Sequence, residues 1–327
     1  MKKYLRQIMM VLLSVFLLVA CGEEATNNQS TEKVEQTAKT ETSEYPKTLV
    51  DGRGVEVTLN EKPKRIVSTT LAMDEYLLAL VDPERISAVT NLSTDPAISN
   101  VAELTDSIET KIDSVTAELV ISLNPDLVLV PTYVDPAVLE QLDSAGLTTY
   151  QLKDDASFDG ILAGLQEVAA LVGEEKKAEE ILTDIEERIA DLKEKAAVQD
   201  EKKRVLYLTQ YDSSVTENTS IGEMIALAGG INVITEAGIT GDEYPDYPNL
   251  SKEKVVELNP DVIITSDWQY DGSEATFVEA WKNDPALKNI NAFKNDDVHV
   301  IDSANLTTSA HFVIEGAEDI YDVLYGE

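Results

Sequence analysis

Two acids open near-identical units. Glu118 starts ELVISLNPDLVLVPTY and Glu253 starts EKVVELNPDVIITSDW, 135 residues further on. Each unit runs through a short apolar segment to Asn-Pro-Asp, enters a β-rich strand and ends on an aromatic, Tyr133 or Trp268. Proline disfavours helical geometry in the residue before it, so each unit reads as helix, stop, strand. A carboxylate in the first turn of a helix is favoured by the helix dipole and is free to accept a bidentate arginine. Catalytic signals are missing: there is no P-loop, no Gly-x-Ser-x-Gly elbow, no His-Glu-x-x-His and no full Gly-x-Gly-x-x-Gly. Asp267 and Asp302 could pair at strand ends, but many acids in so acidic a chain could do the same. Two histidines, His299 and His311, and one cysteine, Cys21, cannot build a multi-His or multi-Cys metal site. The carboxylates show no calcium-loop spacing. No catalytic residue, resident metal or cofactor is assigned, and a surface enzyme is disfavoured.

The elements around these units alternate. TLVDGRGVEVTL (48–59) carries a hairpin signal at Asp51-Gly52. Strands are expected at 65–70, 86–91, 126–130 and 148–152, with helices at 73–81, 116–123 and 138–145. Strands interleaved with helices imply a mainly parallel sheet. The segment 174–198 then places Ala178, Ile181, Leu182, Ile185, Ile189, Leu192 and Ala196 at steps of three and four, one apolar stripe on a helix of roughly 35–40 Å. Afterwards the α/β pattern resumes. Strands are expected at 204–211, 262–267 and 298–302, and helices at 221–230, 253–258 and 310–325. The fold class is therefore α/β: an N-terminal lobe (45–172), a linking helix (173–199) and a C-terminal lobe (200–327), with a ligand cleft between the lobes.

The N-terminus reads as an address. Lys2, Lys3 and Arg6 precede an apolar run from Ile8 to Ala20, the layout of a secretory signal peptide over residues 1–20. Leu18-Val19-Ala20-Cys21 resembles a bacterial lipobox. Cys21 is then the lipid attachment site, and the location is the extracytoplasmic face of the cell membrane. Residues 21–44 are too polar to offset their ordering entropy and read as a disordered tether. The formal charge of −35 argues against nucleic acid and against electrostatic attachment to anionic lipid.

With these elements in place the chain resembles the substrate-binding proteins of ABC importers for iron–siderophore, haem and cobalamin. The resemblance rests on KPKRIVSTTLAMDEYLLAL (62–80), the Glu-x6-Pro-Asp units at 118–126 and 253–261, the 174–198 helix and LAGGINV (227–233), and it covers about 45–327. It implies a monomer with two lobes joined by a long helix. It also implies one surface glutamate per lobe docking into a permease dimer driven by an ATPase, here Glu118 and Glu253. Ligands of open parallel sheets bind beyond the carboxyl ends of strands. That rule nominates Thr70, Tyr133, Tyr211, Trp268, Tyr270 and His311 as ligand-binding residues, with Thr69, Met73, Asn91, Thr132, Gln210, Tyr244 and Tyr247 nearby. Arg65 and Arg204 begin strands, at the wrong end for a cleft, which leaves Lys153 as its cation. A neutral or cationic chelate is expected, a ferric siderophore of hydroxamate type or a cobalamin-like corrinoid. A haem-binding protein of the same fold and a ligand-sensing surface receptor are the alternatives.

Overall fold

In the computed structural model, which describes residues 45–153, 155–267 and 275–326, helices flank two separate parallel sheets. Signal sequence, Cys21 and tether lie outside the described residues, as do Trp268 and Tyr270. Lys47–Val50 (β1) pairs antiparallel with Glu56–Leu59 (β2). The hairpin turns at Asp51, whose carboxylate accepts the N–H groups of Arg53 and Val55 at 2.9 and 3.0 Å.

The first sheet comprises Ile66–Val67 (β3), Ile86–Thr90 (β4), Thr110–Ile112 (β5), Leu127–Val130 (β6) and Thr149–Gln151 (β7), in the order β5-β4-β3-β6-β7. The second comprises Arg204–Tyr207 (β8), Ile231–Asn232 (β9), Val262–Ser266 (β10) and Val298–Ile301 (β11), in the order β11-β10-β8-β9. Every pairing within both sheets is parallel. The two orders superimpose, β4-β3-β6-β7 on β9-β8-β10-β11, so the repeated units occupy equivalent places in the two lobes.

The structure explains the repeated triplet. In both units a hydroxyl two residues before the glutamate caps the helix. Thr116 Oγ1 accepts from Leu119 N, and Ser251 Oγ from Lys254 N, each at 3.3 Å. Asn124 and Asn259 take left-handed geometry, φ 47° and 44°, where asparagine is among the residues best tolerated. The proline that follows cannot continue the helix. The aspartate then reaches across the sheet. Asp126 accepts the backbone N–H groups of Lys64 and Arg65, and Asp261 that of Arg204 at 3.1 Å plus Asn291 Nδ2 at 3.1 Å. In return Arg65 Nε donates to Asn124 O at 2.6 Å, and the Arg204 guanidinium to Leu258 O and Asn259 O. Both arginines are thus spent on clasping helix ends at the amino edge of the sheet. Asp126→Ala and Asp261→Ala each remove charge-assisted bonds from exposed or half-buried donors, and each is expected to cost about 1 kcal/mol in urea denaturation. A loss under about 0.5 kcal/mol would show that the clasp does not hold the unit.

Helix Glu175–Ala197 is continuous over 23 residues, roughly 35 Å at ~1.5 Å per residue. Its stripe is the one expected: Ala178, Leu182, Ile185, Leu192 and Ala196 are buried, and Ile181 and Ile189 half-buried. At its start Glu174 pairs with Arg85 and Lys62 of the first lobe. Further along, Arg188 is gripped by Glu315 and Glu318 of helix Val313–Tyr325, the closing helix of the second lobe. One buried apolar cluster runs from Ile66, Leu77 and Leu127 through Leu165 and Leu182 to Val205, Met224 and Ile314, without a break between the sheets.

Several expected elements are shorter than their sequence patterns. RIVSTT contributes only Ile66–Val67, because Thr70 leaves the sheet to cap helix Leu71–Leu80. The 204–211 strand ends at Tyr207. A tight turn follows, with Thr209 N bonded to Ser213 O at 2.9 Å and Asp212 at φ 60°. Helix Phe158–Val172 has no counterpart in the sequence reading. Gly160 and Gly164 interrupt its pattern, and Gly164 packs close: a Cβ there would lie 3.0 Å from the Tyr76 hydroxyl.

Candidate functional site

The carboxyl ends of the first sheet open into a cleft of about 450 Å³, within the usual range for small-molecule sites. Thr69, Thr70 and Met73 come from the end of β3 and the helix after it. Thr132 and Tyr133 follow β6, and Lys153 and Asp155 follow β7. Gly160, Ile161 and Gly164 of helix Phe158–Val172 form a further wall. Thr307, Thr308 and Ser309, just before the closing helix, reach in from the second lobe.

The local chemistry keeps these walls in place. Thr69 Oγ1 donates to Leu129 O at 2.8 Å. Thr70 Oγ1 accepts from Met73 N at 3.3 Å and so starts the helix. The Tyr76 phenol oxygen lies 2.7 Å from Ile161 O and 3.2 Å from Ser309 O, sharing its proton across the lobe boundary. Burial raises its pKa well above the usual phenol range. A second crossing is the Glu223 carboxylate, which accepts Phe158 N at 2.6 Å. The Ser157 hydroxyl and N–H hold Asp155 below the usual carboxylate range. Lys153 is largely exposed, with Glu167 at 3.6 Å. It is the one cation among the described residues that line the cleft. Arg53, Arg65, Arg85, Arg188 and Arg204 are all bonded to carboxylates or carbonyls elsewhere.

Of the nominated ligand residues, the structure brings Thr70 and Tyr133 together in this cleft, with Thr69, Met73, Thr132 and Lys153. His311 does not line it. The last helix begins at Val313 rather than 310, and His311 falls in the preceding turn. There its ring stands 6.1 Å from Tyr76 and 4.1 Å from Phe312, and burial lowers its pKa to about 4. Tyr211 is 78% exposed in the turn after β8 and is likewise outside the described lining. That turn is joined to the 244–250 loop through the Ser213–Asn249 bridge and Leu250 N to Asp212 O, so Tyr211, Tyr244 and Tyr247 are exposed on two connected loops. Sequence reasoning missed Tyr76, Asp155 and Thr307–Ser309. The run TTSAH directly before an amphipathic helix was the available signal for the last three.

Glu118 and Glu253 are both exposed, each at the second position of its helix, Ala117–Ser122 and Lys252–Leu258. Each helix is joined to its strand by the Asn-Pro-Asp turn. The N–H of Glu253 itself and the Ser251 hydroxyl hold the Glu253 carboxyl below its usual range. Among the described residues there is no group of three or more His, Cys, Asp or Glu side chains placed to hold a metal ion. None of their helices is long and apolar enough to cross a membrane.

Two α/β lobes joined by a long helix, with a cleft at the carboxyl ends of the first sheet that the Thr307–Ser309 segment of the second lobe walls in, are the architecture of a two-lobed binding protein. Residues 66–304 match the periplasmic binding protein family, and the chain belongs to that family. It is 30% identical to an uncharacterized ABC transporter substrate-binding lipoprotein, YvrC, of Bacillus subtilis, over 96% of this chain and 95% of that protein. It is 25% identical to a cobalamin-binding protein of Halobacterium salinarum, over 83% of this chain and 72% of that one. Among solved structures, the periplasmic heme-binding protein RhuT of Roseiflexus sp. RS-1 in apo form is similar, with TM-score 0.66 and 25% identity over 80% of this chain and 99% of that one.

Proposed function

We propose that this chain is an extracytoplasmic solute-binding lipoprotein that captures a preformed metal chelate, a ferric siderophore or a cobalamin-like corrinoid, and delivers it to an ABC permease dimer with its ATPase. The supporting observation is the cleft itself. It is roomy and lined by hydroxyls, an exposed tyrosine and apolar side chains, with Lys153 as its described cation. Such walls suit a ligand whose metal is already saturated by its own chelator. They suit a neutral or cationic chelate better than a trianionic one, which calls for arginine or several lysines. Cys21 anchors the protein by its lipid, residues 21–44 serve as tether, and the body works as a monomer. Glu118 and Glu253, at equivalent places in the two lobes, engage two equivalent permease subunits.

Tryptophan-fluorescence titration of the full-length chain in detergent tests the ligand assignment. The probes are a corrinoid, a ferric trihydroxamate, a ferric tris-catecholate and haem. Saturable quenching is expected with the corrinoid or the trihydroxamate. Tightest binding of the catecholate or haem would overturn the charge argument and leave a chelate-binding protein. Binding of none of the four would overturn the ligand class and favour a receptor for another solute.

A further inference from the structure

Directly behind the cleft floor lies a carboxylate that ligand capture, as described so far, does not use. Glu75, on helix Leu71–Leu80, is fully buried. Its Oε1 accepts Asn100 N at 3.0 Å and Asn100 Nδ2 at 3.4 Å. Its Oε2 accepts the Thr308 hydroxyl at 2.8 Å. Thr308 lines the cleft and belongs to the other lobe, so Glu75 is bonded directly to a residue of the cleft wall. Two N–H groups of Asn100 on one oxygen and the Thr308 hydroxyl on the other give the ionised form three partners, which oppose the upward push of burial on its pKa. Asn100 Nδ2 also donates to Ala304 O at 2.6 Å, so the group is held from both lobes.

The charges around it are of the same sign. Glu315 on the closing helix acts on Glu75 as a negative neighbour, while the adjacent, fully buried Asp74 has its pKa raised to about 7 by burial. Arg188, the partner of Glu315, is shared with Glu318. In a poorly screened interior a unit charge acts over several ångströms, and a charged wall favours ligands of opposite sign.

We propose that Glu75 is a specificity-determining residue: its buried charge behind Thr308 makes the cleft select chelates by net charge, favouring cationic over anionic forms. This rests on the chelate-binding reading above and goes further by naming the group that sets the ligand's charge class. Glu75 touches no ligand. It acts through the field at the floor and through the Thr308 segment that it holds.

The test uses one ferric trihydroxamate scaffold in three forms: a free amine (cationic), an acetylated amine (neutral) and a succinylated amine (anionic). Shape and iron coordination stay fixed while charge changes. The wild-type full-length chain is expected to bind them in the order cationic, neutral, anionic, with steps on the order of tenfold per charge. Glu75→Gln is expected to flatten that ladder while leaving the neutral form within about threefold, a result that loss of structure would not give. Asn100→Ala removes a bridge between the lobes but keeps the charge, and is expected to preserve the ladder. A ladder unchanged in Glu75→Gln, or one lost equally in Asn100→Ala, overturns the proposal. A side-chain carboxyl carbon shift showing Glu75 protonated at neutral pH overturns it whichever ligand is bound. If none of the three forms binds the wild type, the hydroxamate reading fails, and the filter fails with it for this class of ligand.

Discussion

Alanine at both Glu118 and Glu253 is expected to abolish ligand uptake by cells while leaving ligand affinity within about twofold. Neither side chain supports the fold. Both are exposed, and the helix caps come from Thr116 and Ser251 rather than from the glutamates. Their removal takes away only a screened first-turn charge. At a docked interface the cost is larger. Truncating one partner of a hydrogen-bonded charge pair takes about 2–3 kcal/mol, or roughly 30- to 150-fold in complex formation per carboxylate. Because the two units are built alike down to cap, left-handed asparagine and clasping aspartate, the single variants are expected to be impaired to a similar degree. Glutamine in place of each glutamate keeps the shape and loses the charge, and is expected to fail like alanine. The measurement is uptake of radiolabelled ligand alongside equilibrium binding by the purified variants. Wild-type uptake by the double variant would remove both residues from the docking surface.

The second large effect is a loss of stability as pH rises, traceable to Asp74. Its carboxyl is fully buried and carries two hydrogen bonds to one oxygen, from Thr90 N at 3.0 Å and Thr90 Oγ1 at 2.5 Å. Burial raises its pKa to about 7, with the Thr90 hydroxyl opposing the shift. Below about pH 4 the folded and unfolded chains both carry the proton, and Asp74 is indifferent. Between about 4 and 7 the unfolded chain releases it and the folded chain retains it, so each pH unit weakens folding. Above about 7 both are ionised and the loss is complete, on the order of 4 kcal/mol across the window. Glu75, Glu315 and Asp319 are also raised by burial and act in the same direction. Asp51, held low by its Val55 and Arg53 bonds against desolvation, acts oppositely. Asp74→Asn isolates the single contribution. Its amide oxygen can still accept from Thr90, and the difference between its urea-denaturation profile and the wild type's is expected to climb between pH 4 and 7 and then level. A flat difference would show that Asp74 does not titrate in that window.

Much of the scaffold is legible in the sequence, for identifiable reasons. The stripe from Ala178 to Ala196 has the period of a helix buried on one side, and that helix is continuous from Glu175 to Ala197. β6 and β10 are announced by Asn-Pro-Asp followed by branched residues, and the triplet turns out to be structural rather than decorative. Arg65 and Arg204 are rightly kept out of the cleft, although their partners at the helix ends are not visible in one dimension. The cleft is less legible. Its first wall follows from strand ends, so Thr69, Thr70 and Tyr133 are found. Its other walls come from pieces that no local pattern marks. Helix Phe158–Val172 is masked by two glycines whose neighbours, Asp155 for Gly160 and Tyr76 for Gly164, are met only in three dimensions. Thr308 matters because of Glu75, 233 residues away in sequence. His311, nominated for its chemistry, is instead part of the packing behind the wall.

The unbroken apolar cluster has a consequence for how such a chain can be taken apart. The two sheets look like separable modules, but Leu165, Leu182 and Met224 belong to one hydrophobic interior. A cut at the exposed turn around Asp200–Lys202 would leave each fragment with a large greasy face and no partner of its own. Neither half is then a self-sufficient folding unit, and the pair would behave as complementary fragments that regain structure only together. The protein is two lobes in outline and one molecule in its thermodynamics.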